Sequence, residues 1–261
     1  MDIRTLLLCL LLIPASVQAI TRVGIVLECP YFCEGDDKKG YIRELVEEFF
    51  QLHAKSEPDV QFFALPPFRI SQMVETGQLE FGVLNSKDIR YNSRLQSFNS
   101  VLGVSYSGIA SSVKSDFLVL SEADLVGEEV CFINLPPSLR ETFLNLHSKS
   151  PSHVISIKGV NSVSRGFEML RTGRTKILVG EFNSLKNHLG NNPRLAKDYK
   201  VSASSFTGYN SLVLFTSDSQ KNYSGLNEAF TKYLHQKRES GELKRLMESY
   251  FIEDWSQQVT Y

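Results

Sequence analysis

Residues 28–33 read Glu-Cys-Pro-Tyr-Phe-Cys, so two thiols, Cys29 and Cys33, bracket Pro30, Tyr31 and Phe32. Such a pair could exchange electrons, hold a metal, or close as a local disulfide that stiffens an aromatic loop. The spacing is Cys-x3-Cys, not the Cys-x2-Cys of thioredoxin-like redox sites. A lone cysteine pair is also a poor metal site without further ligands at zinc-type spacing. The aromatic reading needs less, because a Tyr or Phe ring offers large apolar area and stacks on planar or cationic groups. Elsewhere the chain has no nucleophile elbow, phosphate-binding glycine loop or His-Glu-x-x-His motif. No catalytic set, no cofactor and no metal site is therefore expected. The five histidines are scattered, with His53, His188 and His235 on expected helix surfaces.

The compartment bears on the thiols. Arg4 precedes an unbroken apolar run from Leu6 to Ile13, Pro14 breaks it, and Val17-Gln18-Ala19 offers a cleavage site. Residues 1–19 read as a secretory signal peptide, with an exported mature chain from Ile20 that has no membrane span. Cys9 lies inside the apolar run and is a poor lipidation site. Export implies an oxidising compartment, in which Cys29 and Cys33 could pair. Cys131, in the strand-like run Glu-Glu-Val-Cys-Phe-Ile, reads as a buried free thiol. With 28 basic against 29 acidic residues, the net charge of −1 leaves no basic footprint for nucleic acid.

Hydrophobic periodicity supplies the scaffold. Residues 21–27 form a β-branched run that reads as a buried strand, and the cysteine loop follows it. A helix is expected over 39–53, with Tyr41, Leu45, Val46, Phe49 and Phe50 on one face. Strand 59–65, helix 66–76 closed by Gly77, and strand 79–84 complete a first α/β unit. The alternation restarts near residue 127 with strands at 127–133, 153–157 and 175–180 separated by helices at 137–149 and 162–172. Between the units lies a Ser/Gly-rich seam around Ile109–Asp116. A short helix at 184–190 and a strand at 200–204 close the second unit, and the tail adds a strand at 211–216 and two amphipathic helices hinged at Gly241. These last elements are too few for a third domain and must pack on an existing unit. Alternating strands and helices imply parallel pairing with helices on the sheet faces.

In that order the stretches Lys38–Phe50, Met73–Leu84, Glu122–Phe132, Leu170–Leu185 and Leu226–Phe251, with the aromatic loop before them, resemble the family 3 extracellular solute-binding proteins. These are the amino-acid-type receptors of bacterial ABC importers. The resemblance covers nearly the whole mature chain. It implies a two-lobed periplasmic-binding-protein (type 2, flytrap) fold, each lobe a mostly parallel sheet flanked by helices. Residues 20–111 plus 206–261 would form a discontinuous first lobe and 112–205 the second. The implied location is the periplasm, the ligand a small polar solute, the state a monomer, and the partner an inner-membrane ABC permease.

The same resemblance implies a set of ligand-binding residues. Glu181 falls where the family's second lobe places an acid for the ligand's α-ammonium group, a charge that needs a hydrogen-bonding acceptor when half-buried. The family's carboxylate-binding Arg falls at Asn92, with Arg90 and Arg94 two residues to either side. Either a local bulge brings one of these into the site, or the ligand has no α-carboxylate held in that way. Asn85, Ser86 and Lys87 replace the usual hydroxyls before that position, and Lys87 could supply a point charge. Pro136 and Pro137 remove two N–H donors from the second lobe's anion nest, leaving Asn134 and Ser138 as polar candidates. Ser138 also suits a helix cap. Tyr31 and Phe32 fall on the family's aromatic wall, with core packing the competing role for Phe32. The functional expectation is ligand capture for an importer. A sensor or envelope partner is the alternative, and a dehydratase-like enzyme using Glu181 is a lesser one.

Overall fold

The computed structural model describes residues 20–34, 39–53, 59–89, 92–115, 121–135, 139–159, 161–204 and 209–255. The signal-peptide expectation over 1–19, and the candidates Arg90 and Ser138, lie outside the described residues.

Two five-stranded sheets carry the molecule. The first contains β1 (Ile20–Ile25), β2 (Asp59–Ala64), β3 (Phe81–Asn85), β4 (Leu95–Ser105) and β10 (Asn210–Ser217), in the order β2-β1-β3-β10-β4. The second contains β5 (Ser107–Ser112), β6 (Val130–Ile133), β7 (Val154–Ile157), β8 (Ile177–Glu181) and β9 (Tyr199–Ala203), in the order β7-β6-β8-β5-β9. The two orders match strand for strand. In each sheet three strands linked through helices are parallel, as long crossovers require. The remaining pairings are antiparallel: β10 in the first sheet and β5 in the second run against both of their neighbours, so each mostly parallel sheet carries one reversed strand.

The seam between the sheets falls earlier than the sequence implied. Residues 107–111 were assigned to the first lobe, but β5 pairs with β8 and β9, so the chain changes sheets at Tyr106. A Ser/Gly-rich run resembles a linker in composition, yet Gly108 lets β5 pass tightly under helix Phe182–Gly190, where a Cβ would lie 2.8 Å from the Phe182 Cα. The sequence reading also left β4 undrawn. Its polar residues Gln96, Ser97, Asn99 and Ser100 interrupt the apolar alternation, and its pairing with β10 shifts register twice.

Helices cover both sheets. In α1 (Tyr41–His53) the face Tyr41, Ile42, Leu45, Val46, Phe49 and Phe50 is buried, each side chain contributing roughly 1.5–3 kcal/mol of transfer free energy. Phe49 meets Phe230 edge-on at 4.7 Å, which ties α1 to α8 (Tyr223–Glu239). Leu243 and Met247 of α9 (Glu242–Ser249) join the same core, so the chain's tail completes the first lobe. In the second lobe β6 is buried on both faces: Val130 and Phe132 enter one cluster, Cys131 and Ile133 the other. That two-sided burial explains its unbroken apolar run. Cys131 is a free thiol there, and burial pushes its pKa up to about 11. Among the described residues no helix is long and apolar enough to cross a membrane.

Candidate functional site

Open α/β sheets place their ligand sites beyond the carboxyl ends of strands. Beyond β1 the chain forms the cysteine loop. Cys29 and Cys33 are joined by a disulfide, and the Glu28 carbonyl accepts N–H bonds from Tyr31 (3.0 Å) and Phe32 (2.9 Å). The loop's own carbonyls then cap α1, with Tyr41 N–H donating to Pro30 at 3.0 Å and Arg43 N–H to Tyr31 at 3.4 Å. Gly40 makes this return possible: its φ is +97°, and a Cβ there would sit 2.4 Å from the Tyr31 carbonyl oxygen. The loop therefore occupies the helix start that might have received an anion.

The ring of Tyr31 is buried, and its hydroxyl crosses to the second lobe. It donates to Glu181 Oε1 at 2.7 Å, with the Val104 carbonyl oxygen also in reach at 2.9 Å, and it accepts from Asn183 Nδ2 at 2.9 Å. Glu181 caps α6 (Phe182–Gly190) through its other oxygen, which accepts the Ser184 N–H at 2.6 Å. Both carboxylate oxygens of Glu181 are thus already held by protein donors. Ser184 Oγ donates in turn to the Cys29 carbonyl at 2.6 Å, and Asn187 Nδ2 to the Tyr250 carbonyl at 2.8 Å. Lys186 pairs with Glu253. One helix of the second lobe is tied to three separate stretches of the first.

Beside this joint lies an interlobe cavity of about 210 Å³. The first lobe contributes Leu27, Glu28, Cys29, Phe32 and Glu34 to its wall. The second contributes Asn134, the start of helix α5 (Ser162–Arg171), and Ser184, Asn187, His188 and Asn191. Glu28 has no hydrogen-bond partner for its carboxylate among the described residues. Burial, and then the neighbouring charge of Glu181, raise its pKa to about 8. Burial also raises the pKa of Glu181, against the opposing hydrogen bonds from Tyr31 and Ser184. His188 is pushed down by burial and stacks on Phe167 at 5.0 Å, so it enters the wall as a neutral ring. Two desolvated carboxylates a short distance apart form a strong acceptor for positive charge.

The structure sorts the residues singled out from sequence. Phe32 and Asn134 line the cavity, with Asn134 at φ 46° and its Oδ1 accepting the Gly159 N–H at 3.0 Å. Tyr31 and Glu181 sit beside it but bind each other. Asn85 ends β3 with its Oδ1 buried and unpartnered, and Ser86 and Lys87 open the four-residue helix α3 (Ser86–Ile89), with Lys87 exposed. Asn92 and Arg94 both engage Glu75, at 3.2 and 2.8 Å, at the end of helix α2 (Pro67–Glu75). Neither reaches the cavity wall. Sequence reasoning missed Glu28, Glu34, Asn161 and His188. A carboxylate directly after a buried apolar strand, as at Glu28, was the available signal.

No family model and no curated protein matches the chain. Solved structures do. The GluR0 ligand-binding core in complex with L-glutamate aligns with a TM-score of 0.68 at 13% identity, over 90% of this chain and 99% of that one. An ancestral arginine-binding protein bound to arginine gives 0.63 at 18% identity, over 89% and 98%. The second substrate-binding domain of a putative amino-acid ABC transporter from Streptococcus pneumoniae gives 0.62 at 16%, over 89% and 99%. The fold is the two-lobed flytrap of periplasmic binding proteins. At these identities the likeness establishes the flytrap architecture, and the matched strand orders of its two sheets show how this chain builds it.

Proposed function

We propose that this chain is an exported solute-binding protein that captures a small, polar, amino-acid-like ligand between its lobes for an ABC importer. One observation carries the reading: Glu28, half-buried and without a hydrogen-bond partner among the described residues, faces a cavity walled by both lobes. A half-buried carboxylate without a donor has lost part of its hydration, and a ligand's ammonium or guanidinium group would make good that loss. The amide and hydroxyl side chains around it suit the remaining polar atoms of a small solute. Capture with lobe closure is the motion this architecture supports, and the structural neighbours that serve amino-acid transport support the importer role.

The test is a thermal-shift panel of amino acids, amines and small peptides against the chain from Ile20, since a ligand that binds only the folded state raises Tm by mass action. At least one positively charged solute is expected to raise Tm by several degrees, and Glu28→Gln to abolish that shift. A panel with no response, or a response indifferent to Glu28→Gln, sinks the reading.

A further inference from the structure

The cavity's charge is one-sided, and that narrows its ligand further. Resting on the capture reading above, we propose that the ligand is an organic cation without a carboxylate: a primary amine, diamine or guanidine rather than a zwitterionic amino acid. The cationic head would sit on Glu28, with Glu34 on the same wall.

Four observations remove the usual means of holding a carboxylate. Among the described residues, no Lys or Arg lines the cavity. Arg94, one of two arginines flanking the position where such a receptor would present one, is spent on Glu75 at 2.8 Å. The first lobe's helix start is closed by its own loop, with Tyr41 N–H on Pro30 and Arg43 N–H on Tyr31. Glu181 accepts from the Tyr31 hydroxyl and the Ser184 N–H, so it adds negative potential behind Glu28 that repels a ligand carboxylate. The first turn of α5, at Val163 and Ser164, faces the cavity, as does Ser184 in the first turn of α6, whose N–H is already taken by Glu181. The partial positive charge at the start of α5 is opposed by Glu28 and Glu34 across the cavity and by Glu181 at the cap of α6.

Acceptors, by contrast, are in excess. Beyond Glu28, the wall carries the carboxylate of Glu34. A ligand carboxylate would be repelled here and would leave its own acceptors unmet. An ammonium group brings donors to the acceptors of this wall and carries the opposite charge. Phe32, also on the wall, gives the methylene chain of such an amine an apolar surface.

The experiment compares each amino acid with its decarboxylated partner by isothermal titration calorimetry at pH 8: lysine against cadaverine, and arginine against agmatine. At least one amine is expected to bind ten-fold or more tightly than its parent amino acid. Glu28→Gln is expected to weaken that amine at least ten-fold while the apo protein keeps or gains thermal stability, which separates lost recognition from lost folding. If the parent amino acids bind as tightly as the amines or more tightly, the proposal is overturned while the capture reading stands. If neither class binds, both fall.

Discussion

The corner after β3 in the first lobe and the corner after β8 in the second occupy the same place in matching sheets, yet they do opposite things. Each strand has five residues, four of them buried, and each ends on a half-buried polar side chain, Asn85 or Glu181. After Asn85 comes a four-residue helix, and nearby Asn92 and Arg94 turn back to Glu75 of their own lobe. After Glu181 comes a nine-residue helix whose cap, side chains and far end all reach across to the other lobe. The backbone repeats, and the terminal residue decides whether the corner is self-contained or joins the lobes. Glu181 is read better as a strut than as a ligand contact, and the cavity-facing acid is Glu28 on the other lobe.

Three measurements can break or sharpen that contrast. The largest effect is expected from Gly40→Ala, which puts a Cβ against the Tyr31 carbonyl at a positive φ. A loss of about 3 kcal/mol by denaturant unfolding is expected, since strain and displacement of the loop add. A loss under about 0.5 kcal/mol would show that the loop is not braced as described. Next, Tyr31→Phe strips a donor from buried Glu181 and should cost about 2 kcal/mol, whereas Arg94→Ala breaks only an exposed pair and should cost about 0.5 kcal/mol or less. Equal costs would erase the distinction between the two corners.

The third measurement is pH dependence. The folded-state pKa of Glu28 is raised to about 8 from 4.5, so between those values the folded form holds more protons than the unfolded one. Stability of the apo protein should therefore fall as pH rises through that window, by about 1 kcal/mol from pH 5.5 to 8 after discounting for screening. A bound cation replaces the proton, so its affinity should rise over the same range. Calorimetric Tm against pH, with Glu28→Gln flattening the slope, checks the assignment. A slope that survives the substitution assigns the titration to another group, with Glu181 the first candidate.

The architecture was legible because burial writes period into sequence. The face of α1 and the apolar run of β6 were both read directly; the tail's packing on an existing unit followed from its having too few elements to stand alone, and the resemblance pointed to the first lobe. β4 and β5 were not legible, since their polar residues break the apolar alternation and each pairs antiparallel with distant strands of its own sheet. The site was legible only in part. Tyr31 and Glu181 were picked out for a ligand, and they lie 2.7 Å apart, but sequence could not show that they satisfy each other. Glu28 stood in the motif that first drew attention, yet its meaning depends on three-dimensional neighbours: Glu181, 153 residues away in the chain, and a cavity that needs both lobes.

The chain around Tyr250 lies across α6 of the second lobe. The Tyr250 carbonyl takes Asn187, Glu253 takes Lys186, and Gly190 leaves room for Phe251, whose ring a Cβ would approach to 2.5 Å. A designer wishing to graft this second lobe onto another flytrap's first lobe could not treat the crossing at Tyr106 as the whole junction. The graft would have to carry the cysteine loop, the end of β4 and this stretch together, because the surface that makes the lobes compatible is assembled from all three.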